Sequence, residues 1–325
     1  MRKFPTALLV VAIVLTTSTR AASSMLESDK DATDTEWGRA TLPSQRKFDH
    51  DAATCGDTTT EIEEEPVEVA IIGGGLAGLA VAIGLMRTDI PCRIYERAPG
   101  LRSNSQGILA IQPNGMKALE TIHPDLPDMI VEAGCERKQL VVTTIHVNGT
   151  IEENTRETGE EVLKKFGRLK VGLTWHKMQQ LLASLLPSSE IVAPSRSLVS
   201  FEETEEDVIL HFEDMSRQNL YRVRAKVVIA CDGVFSVARQ QVLANARDES
   251  GDAPIFFGQL NWATVIDTAK LPKAVHPPNA VHYFMHEGEP RWMSMINDGG
   301  SGQSFWQFRV ADPDQALSLS CNNGR

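Results

Sequence analysis

Residues 67–97 read VEVAIIGGGLAGLAVAIGLMRTDIPCRIYER, and the reading of this stretch decides the fold. Positions 67–72 are mostly β-branched, the composition of a strand buried on both faces of a parallel sheet. Gly73, Gly75 and Gly78 follow as G-x-G-x-x-G. The first glycine permits a tight turn, the second lets the backbone approach a pyrophosphate, and the third lets the next helix lie close on the strand. The pattern predicts a helix over 76–87, opened by Leu76 and Ala77, whose free N–H groups and positive dipole end face the phosphates. Residues 92–95 form a second strand, and Glu96 closes it. Its distance from the glycines, about 20 residues, suits a carboxylate that accepts from the adenosine ribose hydroxyls. A glycine triplet alone is a weak signal. With the strand before it, the helix after it and the acid at this distance, it specifies a dinucleotide-binding βαβ unit. A glycine-rich turn of some other α/β protein would leave Glu96 unexplained.

Downstream, 106–112 is an expected strand, and Pro113-Asn114 opens a helix over 115–122, where proline's fixed φ suits the first turn. Residues 140–147 and 150–153 form an expected hairpin around Asn148-Gly149. Met178, Leu181, Leu182 and Leu185 recur at helical spacing within 175–186. Short strands over 198–201, 208–212 and 220–224, separated by acidic turns, read as a solvated meander. Residues 227–231 are a further buried strand, followed by Asp232-Gly233 and a helix over 236–243. An Asp in that position either contacts a ligand at the carboxyl end of the sheet or caps the next helix. The remaining strands, 256–266, 282–285, 292–296 and 304–310, suggest an antiparallel module. The fold class is therefore α/β: a Rossmann-like βαβ domain followed by a mostly antiparallel β module.

The chain has 325 residues and a net charge of −11, enough length for two domains and no basic stripe for nucleic acid. Cys55, Cys92, Cys135, Cys231 and Cys321 are scattered without C-x-x-C spacing, so neither a zinc site nor a disulfide framework is indicated. His276, His282 and His286 are too loosely spaced for a metal cluster and read as surface or strand residues. The N-terminus has the shape of a secretory signal: Met1-Arg2-Lys3, an apolar run over 7–15, then small residues at Ala21, Ala22 and Ser23. That implies the secretory pathway or secretion, with organelle targeting as a variant, and no stable membrane span once the signal is removed. Asn148-Gly149-Thr150 is then a glycosylation sequon, although a hairpin turn is its first reading. Residues 24–66 are polar and acidic and read as a disordered linker. The expected organisation is a signal over 1–23, the linker over 24–66, a nucleotide domain over 67–252 and an antiparallel substrate module over 253–325.

Four stretches resemble the FAD monooxygenases of the para-hydroxybenzoate hydroxylase type. They are the fingerprint ending Tyr95-Glu96-Arg97; Gln106-Gly107-Ile108 leading to Gln112-Pro113-Asn114; Ala230-Cys231-Asp232-Gly233 with Ser236 and Arg239; and Gly258 through Trp262 with Val265. The resemblance runs from Val67 to Val310, and the Asp-Gly pair is its narrowing feature. It implies FAD as cofactor and NAD(P)H as co-substrate. It also implies O₂-dependent hydroxylation or epoxidation of a small organic substrate through a flavin hydroperoxide. By the same resemblance Glu96, with Arg97 beside it, holds the ribose, and the turn from Gly73 to Gly78 holds the pyrophosphate. Asp232 and Gly233 lie near that pyrophosphate, and Arg102 is a weaker phosphate or ribityl contact.

The chain departs from the family in three places. A later Gly-Asp motif is not found, since Gly251-Asp252-Ala253-Pro254 comes too soon after Asp232. Trp175 stands where the family opens a helix with Arg, and Ala263 rather than Arg follows Trp262. The missing motif leads to the expectation of a C-terminally truncated member. A pseudoenzyme that binds FAD without turnover is one alternative. An NAD-dependent dehydrogenase is the other, but it would need a catalytic residue that cannot be assigned. Oligomeric state is not legible.

Overall fold

The glycine stretch folds as strand, turn, helix and strand, and the rest of the molecule is arranged around it. The computed structural model describes residues 7–9, 64–101, 107–217, 219–245, 258–272, 279–288, 292–300 and 302–311. In chain order these form β1 (Ala7–Leu9), β2 (Glu64–Ile72), α1 (Leu76–Met86), β3 (Cys92–Tyr95), β4 (Ile108–Ile111), α2 (Pro113–Ile122), α3 (Leu126–Ala133) and β5 (Cys135–Arg137). Then come β6 (Gln139–Ile145), β7 (Ile151–Thr158), α4 (Gly159–Phe166), β8 (Lys170–Thr174), α5 (Trp175–Ser184), β9 (Val192–Ala193), β10 (Arg196–Glu203) and β11 (Val208–Asp214). The last are β12 (Asn219–Ala230), α6 (Val237–Asn245), β13 (Gln259–Asp267), β14 (Ala280–His286), β15 (Trp292–Asp298) and β16 (Gln303–Ala311).

The first sheet has seven strands in the order β10-β11-β12-β2-β3-β9, with β1 also on β12. Strands β12, β2, β3 and β9 are mutually parallel. Residues 69–72 of β2 are apolar throughout because they feed two cores. Val69 and Ile71 pack with Leu79, Ile83, Met178 and Leu182 under the helices, whereas Ala70 and Ile72 join Tyr95, Leu210 and Phe212 on the other face. Tyr95 stacks on Phe212 with ring centroids 4.8 Å apart.

Two expectations change here. The strands expected over 220–224 and 227–231 are one strand, β12. No Gly or Pro interrupts it, and Ala225 stays buried while Lys226 points out to an ion pair with Asp207 at 2.6 Å. Its first half pairs antiparallel with β11 and its second half parallel with β2. Strand β2 also begins at Glu64, so the last residues of the expected linker belong to the sheet. Glu65 accepts from Tyr221, Arg93 and Tyr95, which offsets the cost of drawing a carboxylate into the sheet. The apolar run of the expected signal contributes β1, which lies parallel to Val227–Ile229.

A second sheet of six strands runs β13-β16-β15-β14-β6-β7. All its pairings are antiparallel except β14 with β6. This is the mostly antiparallel module, but it is not confined to 253–325, because it takes β6 and β7 from inside the expected nucleotide domain. The turn joining those two strands is the Asn148-Gly149 turn: Asn148 Oδ1 accepts from Thr150 N at 2.9 Å, and Gly149 has φ +82°. A third sheet, β4-β8-β5, lies against the β15–β16 turn. That docking demands glycine. A Cβ on Gly172 would lie 2.5 Å from the Asp298 carbonyl oxygen, and one on Gly300 would lie 2.6 Å from the Gly134 carbonyl carbon. Among the described residues no helix is long and apolar enough to cross a membrane.

Candidate nucleotide site

The turns after β2, β3 and β12 meet at the carboxyl end of the first sheet. Gly73 N donates to Tyr95 O at 2.8 Å, Cys231 N to Ile72 O at 2.8 Å, and Glu96 N to Ala193 O at 2.9 Å. Gly73 has φ +104°, and a Cβ on it would lie 2.5 Å from the Cys231 carbonyl oxygen. The glycine turn therefore rests directly on the backbone of Cys231-Asp232. The two motifs, some 150 residues apart in the chain, share one site, as open parallel sheets require of their strand ends. A Cβ on Gly78 would collide with the Gly73 carbonyl oxygen, so this glycine serves helix packing.

Gly75 differs from both. Its φ is −72°, and a Cβ there would meet nothing within 4 Å. The chain's own packing does not require glycine at this position. Gly75 is the N-cap of α1, no side chain caps that helix, and its first turn carries no acid. An open, uncapped helix start with a bare backbone in front of it fits an anionic group such as a pyrophosphate. Leu76 is buried in the core and Ala77 is half-buried beside it.

Glu96 Oε2 accepts from Gly74 N at 2.6 Å, and Oε1 accepts from Ala98 N at 2.8 Å. The carboxylate braces the glycine turn, and each oxygen keeps a lone pair for a hydroxyl donor. Asp232 Oδ2 accepts from Val237 N at 2.8 Å and Ala238 N at 3.2 Å, so the side chain caps α6. Gly233 takes φ +85° in the connecting turn, and Arg239 Nη2 donates to Val234 O at 2.7 Å. Burial pushes the neighbouring Cys231 thiol up to about 11, which keeps it neutral. Arg97 is exposed, and Arg102 lies outside the described residues.

Sequence reasoning missed Gln179. It is 3% exposed on α5, and its Nε2 donates to Gly74 O at 2.8 Å. Its Oε1 has no partner among the described residues. The available signal was a polar residue lying within the Met178, Leu182 stripe. His282 and His286 are strand residues: His282 Nε2 is 2.8 Å from Thr143 Oγ1, and His286 stacks on Trp292. Among the described residues no group of His, Cys, Asp and Glu side chains is arranged for a metal ion. His276, Cys55 and Cys321 lie outside the described residues.

Comparison with known proteins adds the decisive observation. A family model described as an FAD binding domain matches residues 66–317. The chain belongs to this FAD-binding family. It is 30% identical over 190 residues to 3-amino-4-hydroxybenzoate 2-monooxygenase of Streptomyces cremeus, an alignment covering 58% of this chain and 45% of that one. It is 25% identical over 253 residues to an FAD-dependent monooxygenase of Hypocrea jecorina, covering 77% and 52%. The chain thus spans about half the length of the curated relatives it matches. Among solved structures, Klebsiella pneumoniae HpxO complexed with FAD and uric acid superposes with a TM-score of 0.59 at 18% identity, covering 78% of this chain and 60% of that one. That likeness bears on the fold. In this family FAD is the cofactor, and the open start of α1, the Glu96 carboxylate and the bare backbone at Gly75 fit its adenine-ribose and pyrophosphate end.

Proposed function

We propose that this protein is an FAD-dependent monooxygenase that uses NAD(P)H and O₂ to hydroxylate or epoxidise a small organic substrate. The observation that carries the reading is the seating of the Gly73 turn on Cys231-Asp232, because it assembles both family motifs at one strand end. The relatives named as monooxygenases support the reaction class. When bound, FAD supplies the redox chemistry, taking hydride from NAD(P)H and passing one oxygen atom from O₂ to the substrate.

The chain's own residues bind and orient. The N–H groups that open α1 hold the pyrophosphate, and Gly75 lets it come close. Glu96 holds the ribose while its backbone contacts keep the glycine turn in shape. Gln179 fixes the Gly74 carbonyl from the side of α5. Asp232 acts by capping α6, which holds the second motif against the first turn. The test is turnover with isotopically labelled O₂, NAD(P)H and a panel of phenols and aromatic acids. Label in an oxygenated product supports the reading. NAD(P)H oxidation that yields only hydrogen peroxide across the whole panel counts against it.

We also propose that residues 1–23 direct the protein into the secretory pathway, on the strength of the basic start, the apolar run and the small residues after it. Cleavage there would remove β1 from its place beside Val227–Ile229. A mature protein from the native host that still begins at Met1 would contradict this leader.

A further inference from the structure

The turn between β6 and β7 carries an asparagine that hairpin geometry does not require. His146 N donates to Thr150 O at 2.9 Å and Gly149 N to His146 O at 2.9 Å. The strands are therefore joined by a three-residue loop, Val147, Asn148 and Gly149. A two-residue Asn-Gly turn would need positive φ at both residues. Here only Gly149 has it, at +82°. The backbone needs glycine at 149, and it makes no such demand at 148.

The Asn148 side chain is engaged through its oxygen alone. Oδ1 accepts from Thr150 N at 2.9 Å and from Thr150 Oγ1 at 2.7 Å, and Nδ2 has no partner among the described residues. An aspartate would serve this turn equally well, since only the acceptor is used. The amide nitrogen, which sets asparagine apart from aspartate, is left over. Val147, Asn148, Gly149 and Thr150 are all exposed, so that nitrogen is open to solvent. The base of the loop is fixed: His146 Nδ1 lies 2.8 Å from Glu287 Oε2, and Nε2 lies 3.4 Å from Glu152 Oε2. The sequence contains a single Asn-x-Ser/Thr sequon, and it is this one.

We propose that Asn148 is an N-glycosylation site, taking an oligosaccharide from a lipid diphosphate donor as the chain enters the secretory lumen. The step is a substitution in which nothing is oxidised or reduced. A bond forms between Nδ2 and the anomeric carbon of the first sugar, and the bond from that carbon to the diphosphate oxygen breaks. The lipid diphosphate leaves with the electron pair, and Nδ2 gives up one proton to a base of the transferase. The product is still an amide whose oxygen accepts from Thr150, so the folded turn tolerates the modification. Val147 and Ile151 beside it are 77% and 70% exposed, and β7 is an edge strand of the second sheet. A bulky, solubilising glycan shields this apolar end of an edge that could otherwise pair with another chain. This inference rests on the secretory leader proposed above.

The experiment is expression of the full chain in a eukaryotic host, once with its own residues 1–23 and once with a foreign secretory signal in their place. Lumenal location is checked by protease protection. The protein is then treated with peptide N-glycosidase in heavy-oxygen water, and the peptide spanning Asn148 is weighed. The heavy label separates enzymatic release from spontaneous deamidation of the Asn-Gly pair. One mobility shift, abolished by the glycosidase, is expected, with label at position 148. Both signals should be lost in Asn148→Asp and in Thr150→Ala. Asn148→Asp keeps the acceptor of the turn and should melt together with the deglycosylated wild type. A lumenal protein without sugar at Asn148 overturns the proposal, whichever leader delivered it, and so does a shift that persists in Asn148→Asp. Glycosylation with the foreign signal alone rejects the leader and supports the site, which keeps the two failures apart.

Discussion

At the glycine turn the chain's own backbone engages the polar side chains. Glu96 braces two N–H groups, Asp232 caps α6, and Gln179 holds the Gly74 carbonyl. The junction of β5, β8 and β15 is built instead from close backbone contacts, Gly172 against the Asp298 carbonyl oxygen and Gly300 against Gly134. There Arg137 Nε and Nη2 and Asn297 Oδ1 are shut off from solvent with no hydrogen-bond partner among the described residues, as Gln179 Oε1 is at the nucleotide end. The difference teaches how the two regions are specified. At the nucleotide end the contacts that shape the site also hold the fold. At the junction the close contacts are between backbones, and they serve packing. Substitutions of the bracing side chains at the nucleotide end should therefore lower stability and affinity together, whereas Gly75, which the chain's own packing does not require, should separate them.

Within the nucleotide end the contrast can be broken first at Gly78. Gly78→Val places a side chain against the Gly73 carbonyl oxygen, so a loss above about 3 kcal/mol, or failure to fold, is expected in a denaturant titration. A protein of wild-type stability would show that the turn is not packed as described. Next in size is Glu96→Ala. Losing a carboxylate that accepts from Gly74 and Ala98 and faces the ribose should weaken FAD binding by about 1–3 kcal/mol. Unchanged affinity in a flavin fluorescence titration would reject both roles.

Asp232→Ala removes a helix cap and should cost about 1 kcal/mol of stability, while Asp232→Asn, another good capping residue, should restore most of it. If Asn fails to restore it, charge rather than capping is what matters at this position. The smallest effect on stability is expected for Gly75→Ala, within about 0.5 kcal/mol of wild type because the new methyl meets open space at an ordinary φ. Its FAD affinity should nevertheless fall, since the Cβ stands where the pyrophosphate approaches. A large stability loss with intact FAD binding would reverse the assignment of Gly75.

How much of this could be read from the residues follows from the range of each interaction. The βαβ unit was legible in full because its signals are local: glycines at fixed spacing, an apolar run, an acid at the strand end. The Asn148-Gly149 turn and the capping helix after Asp232 were legible for the same reason. The long strand β12 was expected as two, over 220–224 and 227–231, whereas it runs unbroken with Lys226 pointing outward to Asp207. The pairing of β6 with β7 was legible from the Asn148-Gly149 turn, but not the sheet that the hairpin joins, since alternation shows that a strand has two faces but not its further neighbours. Helices α3 and α4 and the three-stranded sheet were missed. Helix α4 had a readable start, because Thr158 and Glu161 form a capping box.

The site divides along the same line. Glu96, Gly73, Gly75 and Gly78 announce themselves by spacing. Gln179 does not, because its role depends on Gly74, 105 positions away. A buried polar group is visible only when burial is known, and Arg137 Nε and Nη2 are shut off where β5 docks beside Gly172 of β8. No local pattern in residues 135–137 announces that docking.

The central claim is that the glycine turn, Glu96 and the Asp232 loop form one FAD site. Titration of the purified full chain with FAD, followed by flavin fluorescence and visible absorbance, tests it most directly. The account predicts saturable one-to-one binding that gives a yellow protein, weakened in Glu96→Ala and Gly75→Ala while both variants remain folded. A folded wild-type protein that stays colourless and leaves FAD fluorescence unchanged across the titration would contradict it.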